Sequence, residues 1–391
     1  MNNIRVGVIG IGNMGSAHAR TLSSGAIPGA VLTAVCDARE QMRSWTQEHL
    51  SAEVPFWNDS DELIRSGTID AVLLATPHYD HARLAVLAFD QGLHVLVEKP
   101  AGVTTSQVRR MNEAAAKAEG SVFAIMYNQR TNPLYIKLKD LIQSGELGEI
   151  RRLNWIITNW YRSQSYYDSS SWRATWSGEG GGVLVNQCPH QLDLLQWTTG
   201  MMPKRIRAFC QFGKYRDIEV EDDVTAYAEY ENGATAVFIT TTGEAPGTNR
   251  FEVTGDRGKI VIENNQLSFW RLREPEPAFN ARFQGGFGQP ECWRCDVPVE
   301  GEETGHPGII ANWIAAIRED VPLIAPGNEG IRGLTLSNAM LLSTWTDGWV
   351  DLPFDESQFD AELQQRVQHS NSVKKSSNAD QAPADIQKSF K

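Results

Sequence analysis

Cysteine is scarce in this chain: five residues in 391, an odd number with no paired framework. That excludes a disulfide-built scaffold and fits free thiols in a reducing cytoplasm. Cys292 and Cys295 form one C-x-x-C, but a structural zinc site takes four ligands and no second pair exists. They read as packing thiols, and no metal is expected. Long apolar runs are absent too, since none approaches the ~20 residues of a membrane span. Positive charge is also short: the net charge of −12 argues against nucleic acid or an anionic membrane as partner. The opening "MNNIRVGVIGIG" enters a strand at once, so no cleavable leader is expected.

What is present describes a globular protein, 41% hydrophobic and 21% charged, in a chain long enough for two domains. Residues 4–9, "IRVGVI", predict a short apolar strand, followed by Gly10-Ile11-Gly12-Asn13-Met14-Gly15 and a helical "SAHARTL". A G-x-G-x-x-G alone is weak evidence, but between a strand and a helix it has the context of a dinucleotide-binding turn. The glycines let backbone approach a pyrophosphate, and the helix start adds N–H groups and a positive dipole end. The next strand, "VLTAVC", ends at Asp37, which can accept hydrogen bonds from both ribose hydroxyls and repels a 2′-phosphate. Arg39 softens that repulsion; NAD is favoured over NADP.

Strands and helices keep alternating through "DAVLLATP", "HARLAVLAFDQG", "HVLVEKP", "SQVRRMNEAAAKA" and "SVFAIMYN". That pattern predicts a parallel sheet covered on both faces, with ligands at the carboxyl ends of its strands. Thr76-Pro77, with His81 just beyond, and Glu98-Lys99-Pro100 stand at such ends. Thr76, Pro77, His81, Glu98 and Lys99 therefore join the cofactor-binding candidates, and Lys99 falls beside the nicotinamide half. A lysine in such a loop is otherwise a solvated charge.

After Asn128 the grammar changes. A helix, "PLYIKLKDLIQSG", leads to a long strand, "EIRRLNWIITNWYR", and then to a Trp/Tyr-rich segment with Arg162 and Arg173 interleaved. Aromatic faces suit stacking on a sugar ring, although core or interface packing accounts for most such residues. From 204 to 272 the chain reads as antiparallel strands: "RIRAFCQFG", "DVTAYAEYENG", "ATAVFITTTG", "RFEVTGDRG" and "KIVIENNQL", with a hairpin turn at Asn232-Gly233. A broad sheet with one apolar face must be covered by helices or a second subunit; "PGIIANWIAAIRED" and "GIRGLTLSNAMLLSTWTDGW" supply part of that cover. From about 369 the chain is polar and aperiodic, and a disordered tail is expected.

The stretch "GGGVLVNQCPHQLDLLQW", residues 180–197, carries the chemistry. Gly180–Gly182 permit close backbone approach to a ligand or to the other domain before a strand-like patch. Pro189 suits the first turn of a helix. His190 then lies where the helix dipole is positive, and that field together with the Lys99 cation should lower its pKa. A neutral imidazole is what a general base requires. Asp193, three residues on, shares its helix face and is expected to orient the ring.

Together "GIGNMG", "EKP" and "GGG…H-x-x-D" resemble the glucose–fructose oxidoreductase/inositol dehydrogenase (Gfo/Idh/MocA) family, from residue 4 to about 354. The resemblance implies an α/β chain: a Rossmann dinucleotide-binding domain at 1–127 and an α/β domain with a large open, mostly antiparallel sheet at 128–354. Residues 355–391 form an extension, and the sheet is expected to pair in a homodimer or homotetramer. It implies hydride exchange between a ring carbon of a sugar or cyclitol and the nicotinamide, with Lys99 and His190 at the family's conserved lysine and histidine. Inositol dehydrogenases carry an aspartate four residues before that histidine; here the residue is Asn186, and an amide cannot accept a proton at neutral pH. Asparagine there resembles the branch that oxidises sugars at C3.

The expected catalytic set is Lys99, His190 and Asn186. Asn128, Arg130, Trp160, Arg162, Trp172, Arg173, Asn186, Asp193 and His190 are the expected substrate contacts. Two other readings share the motifs: a non-catalytic NAD-binding sugar sensor, and a glycosidase that oxidises C3 transiently.

Overall fold

The computed structural model describes residues 3–370. The apolar runs become an all-parallel sheet of β1 (Ile4–Ile9), β2 (Ala30–Cys36), β3 (Phe56–Trp57), β4 (Ala71–Leu74), β5 (His94–Val97) and β6 (Phe123–Ile125). Helices α1 (Asn13–Ser23), α2 (Met42–His49), α3 (Ser60–Arg65), α4 (His78–Asp90) and α5 (Thr105–Lys117) connect the strands. With cover on both faces, every residue of β4 is buried. The spatial order is β3-β2-β1-β4-β5-β6. The order reverses between β1 and β4, which opens a ligand crevice at their carboxyl ends.

The second sheet has nine strands in the order β14-β13-β12-β11-β7-β10-β9-β8-β15. They are β7 (Ile150–Ile157), β8 (Arg205–Phe212), β9 (Glu221–Glu229), β10 (Thr235–Thr241), β11 (Asn249–Gly255), β12 (Gly258–Glu263), β13 (Gln266–Leu272), β14 (Cys292–Cys295) and β15 (Val350–Asp351). Only β7 and β10 run parallel. Two expected strands differ. "KIVIENNQL" splits into β12 and β13 because Asn264 and Asn265, at φ 52° and 56°, form a two-residue hairpin turn. The strand expected through Arg162 stops at Ile157, where the aromatic segment leaves the sheet for the cleft.

The inner face of this sheet packs under α6 (Pro133–Gln143), α8 (Pro189–Thr199) and α11 (Gly330–Trp345), with Trp155 stacked on Phe251 at 4.1 Å. A short helix α7 (Gln164–Tyr167) precedes α8, α9 (Glu276–Arg282) precedes β14, and α10 (Gly305–Glu319) follows it. Helix α10 corrects the expected division of the chain. Its Ile309, Ile310, Trp313 and Ile314 belong to the core of the first domain, and the Ile125 N–H donates to the Ala325 carbonyl at 3.0 Å. Residues 305–325 therefore return to the dinucleotide-binding half and do not cover the large sheet. Helix α12 (Glu356–Gln368) buries Phe359 and Leu363 and ties Glu356 to Arg109 at 2.8 Å.

Cys292 is exposed, so the expected packing thiol there is corrected; Cys295 is half-buried against the sheet core. No helix among the described residues is long and apolar enough to cross a membrane. The tail expected from about 369 lies, beyond Ser370, outside the described residues.

Candidate active site

The turn after β1 is shaped by its glycines. Gly10 has φ +90°, and a Cβ on Gly15 would lie 1.7 Å from the Gly10 carbonyl oxygen, so strand and helix meet without room for a side chain. A Cβ on Gly12 would meet nothing within 4 Å. That open side faces the start of α1, whose N-cap Gly12 offers no side-chain acceptor. The first-turn N–H groups, with Asn13 exposed and Met14 half-buried, are left for an anion. Asp37 is buried at the end of β2, where Oδ2 accepts the Ile11 N–H at 2.8 Å and Oδ1 accepts the Arg39 N–H at 2.9 Å. The Arg39 guanidinium closes on both oxygens, at 2.9 and 3.0 Å. Its half-exposed fork must yield for a ribose to reach the carboxylate. These residues fit an NAD adenosine and pyrophosphate.

Two expected cofactor contacts are corrected, because burial turns them inward. Glu98 accepts from His18 Nε2 at 2.6 Å and from the Lys99 N–H at 3.1 Å. His81 sets one ring nitrogen 2.8 Å from the Pro100 carbonyl and the other 2.9 Å from that of Thr76. Both residues brace the strand-end turns. Thr76 is half-buried and Pro77 exposed at the crevice.

Lys99 crosses to the second domain. Its Nζ donates to the Asn186 carbonyl at 3.0 Å. Burial lowers its pKa, and Arg173 and Arg162 lower it further against the opposing pull of Glu98 and Glu179. Asn186 lies in a single π-helical turn, Val183–Gln187, where a strand-like patch was expected. Three features impose that turn. Gly180, at φ +79°, lets the chain pass within a methyl's width of Val103 from the first domain. A Cβ on Gly182 would sit 2.0 Å from the Glu221 carbonyl oxygen. The carboxylate of Glu221 then accepts the Gly182 and Leu184 N–H groups at 2.8 and 3.0 Å. The Asn186 amide donates to Glu179 Oε1, whose other oxygen accepts the Ala174 N–H at 2.5 Å.

His190 follows on the first turn of α8, 6% exposed. Burial takes its pKa down to about 3, with the Lys99 and His306 charges pushing the same way. The imidazole is thus neutral at physiological pH. Asp193 does not orient it: both of its oxygens take the Arg130 fork, at 2.7 and 2.8 Å, and Oδ1 also accepts from Gln196. Arg130 continues to Glu329 at 2.6 Å and is 1% exposed. Arg130 and Asp193 are therefore corrected from substrate contacts to a buried ion pair. The His190 Nδ1 is buried with no hydrogen-bond partner among the described residues, as is Asn128 Oδ1; the His190 ring meets the edge of Tyr127.

One wall of the cleft is aromatic and basic. The Arg162 guanidinium lies 5.5 Å from the Trp160 ring and 5.1 Å from that of Tyr166. Arg173 lies 4.4 Å from Tyr166 and 4.8 Å from Trp172, and donates to the Tyr166 hydroxyl at 2.6 Å. Trp172 meets the edge of the buried His78. Sequence reasoning missed Glu179, Glu221, His18 and His306. Glu179 had a signal, an acid directly before the glycine run; His306 had none, because only the return of α10 brings it here.

Residues 4–126 match the family model described as an oxidoreductase family with an NAD-binding Rossmann fold, and residues 135–261 match the GFO/IDH/MocA C-terminal domain. Levoglucosan dehydrogenase of Pseudarthrobacter phenanthrenivorans is 25% identical over 395 residues, 90% of this chain and 99% of that protein. Myo-inositol 2-dehydrogenase of Thermotoga maritima is 28% identical over 268 residues, 67% of this chain and 75% of that protein. Among solved structures, the WlbA dehydrogenase of Bordetella pertussis, in complex with NADH and UDP-GlcNAcA, is similar with a TM-score of 0.76. The identity is 25%, covering 90% of this chain and 100% of that one.

Proposed function

The chain belongs to the Gfo/Idh/MocA family of NAD-dependent sugar and cyclitol dehydrogenases, and from that premise we propose that it oxidises a secondary alcohol on a sugar ring, at C3 of a glycosidically linked sugar. The observation that carries this reading is the bridge from Lys99 Nζ to the Asn186 carbonyl, which holds an ammonium from one domain against the segment that delivers a neutral His190 from the other.

Bound NAD would lie along Gly10, Gly12, Asn13, Met14 and Asp37 and would supply the hydride acceptor. Within the protein, His190 takes the hydroxyl proton as the C–H bond gives up its hydride, so the alcohol becomes a ketone, and the imidazole, with a pKa of about 3, then releases that proton to water and returns to its neutral form. Lys99 stabilises the alkoxide that develops on the same oxygen. Asn186 donates from its side-chain amide to Glu179 and accepts from Lys99 at its main-chain carbonyl; it positions the lysine and takes no proton. Asn128, whose Oδ1 has no partner among the described residues, offers an acceptor for a neighbouring hydroxyl, and Trp160 and Trp172 offer apolar faces. The outer face of the nine-stranded sheet is the surface on which a second copy of the chain would pack.

Lys99→Ala should lower kcat by about 10²–10⁴-fold while the Kd for NADH, read by fluorescence, stays within a few-fold. Unchanged kcat would remove Lys99 from the chemistry.

A further inference from the structure

Two neighbouring residues of the π-helical turn stay out of the apolar core. Val183, Leu184, Val185 and Cys188 pack into it, and the Cys188 thiol meets the Thr240 hydroxyl there at 3.0 Å. Asn186 gives its side chain to Glu179 and its main-chain carbonyl to Lys99. Gln187, the last residue of the turn, reaches the aromatic wall instead, where its amide donates to the Tyr166 hydroxyl at 3.3 Å. That hydroxyl also accepts from Arg173 at 2.6 Å. Gln187 therefore links the segment that touches Lys99 and delivers His190 to the wall built on Tyr166.

The Gln187 side chain is buried, at 6% exposure, and only one end of its amide is used. Its Oε1 has no hydrogen-bond partner among the described residues. Turning the amide over would give the oxygen to Tyr166 and leave the NH2 group unpaired, so one end is open in either orientation. A buried amide end without a partner costs folding free energy, and a bound ligand is one way to supply the partner. A sugar hydroxyl both donates and accepts, so it satisfies whichever end is presented. Asn128 Oδ1 is a second such group, next in the chain to Tyr127, whose ring meets that of His190.

Resting on the dehydrogenase reading above, we infer that Gln187 is a specificity-determining residue: its open amide end takes the hydroxyl on one carbon beside the carbon oxidised, while Asn128 takes the hydroxyl on the other. The feature read by the site is then three consecutive free ring hydroxyls, with the middle one facing Lys99 and His190. C3 of a pyranoside has that pattern. C4 does not, because its C5 neighbour carries the ring oxygen, and C1 does not for the same reason.

The test is a cycle between side chain and substrate. Methyl α- and β-D-glucopyranoside and methyl β-D-galactopyranoside are compared with their 2-deoxy and 4-deoxy analogues. NADH formation is read at 340 nm, and affinity for the NADH-loaded protein by calorimetry. In the wild type, loss of either flanking hydroxyl should cost roughly tenfold or more in kcat/KM and in affinity. Gln187→Met keeps the length of the side chain and removes its polar ends. It should lower the parent glycoside by a similar factor, leave one deoxy analogue within a few-fold, and leave the Kd for NADH unchanged. Gln187→Asn, shorter by one methylene, repeats the cycle if the Met variant does not fold. An equal loss for the parent and both analogues marks a merely structural role and overturns the inference. No loss for any of them, or a panel in which no parent glycoside binds, overturns it as well. Glycosides that bind with the deoxy pattern intact yet yield no NADH leave the inference standing and tell against the dehydrogenase reading instead.

Discussion

At the scale of single residues, two glycines in one motif do different work. A side chain on Gly15 would strike the Gly10 carbonyl, so strand and helix would have to separate; a Cβ on Gly12 would meet nothing within 4 Å among the described residues. Gly12→Ala should therefore leave the melting temperature within about 1–2 °C yet weaken NADH binding roughly tenfold or more, because its methyl enters the space the pyrophosphate backbone approach requires. Gly15→Ala should lower the melting temperature itself. Equal losses of stability in the two variants would mean that Gly12 is also a packing residue. His190 teaches a related lesson. Its place at a helix start predicted a lowered pKa, and the direction is right, but the largest cause is burial and the dipole argument alone would have undersized it.

At the scale of elements, the π-helical turn depends on a carboxylate two strands away in sequence. Glu221 is fully buried on β9 and accepts the Gly182 and Leu184 N–H groups. Burial lifts its pKa from 4.5 to about 7, with the Glu179 charge adding, even though the N–H groups of its own residue, Gly182 and Leu184 favour the carboxylate. A carboxyl that holds its proton more tightly when folded stabilises the fold at pH below 4.5, and that contribution is lost as pH rises through about 7. Its size is roughly 3 kcal/mol. Because Glu221→Gln cannot titrate, the melting temperature of the wild type relative to that variant should fall between pH 5 and pH 8. Calorimetry at the two pH values reads this, and a difference that stays flat or rises contradicts it.

At the scale of the whole molecule, the outer face of the large sheet is left uncovered among the described residues. Strand register sets Phe209, Thr225, Ile239, Ile156 and Arg250 in one row across that face. Phe209 is 59% exposed, and Tyr227 and Trp349 are exposed beside it. A sheet face with this apolar content calls for a cover, and α10, the helix expected to help, has gone to the other domain. The chain should therefore run as a dimer or tetramer in light scattering. Phe209→Glu should shift it toward smaller species while NADH binding persists, since the side chain is mostly exposed and meets the Arg207 guanidinium, far from the dinucleotide-binding half. A wild-type monomer at micromolar concentration would remove this surface from the assembly.

The sequence alone determined the alternation of apolar strands and amphipathic helices, the glycine turn and the strand-end positions of Asp37 and Lys99, because these follow from local periodicity and from what a short stretch of backbone can adopt. It also determined that His190 begins a helix, since Pro189 announces the first turn. Only the tertiary structure decided partners. A carboxylate near a histidine in sequence went instead to Arg130, because a bidentate guanidinium in a dry interior outcompetes an imidazole for it. Glu179, Glu221 and His306 reached the cleft from separate segments, and the path of α10 followed from which exposed core it could cover. Pairing energies between distant groups leave no periodic mark on a chain, so they become legible only once the fold has brought those groups together.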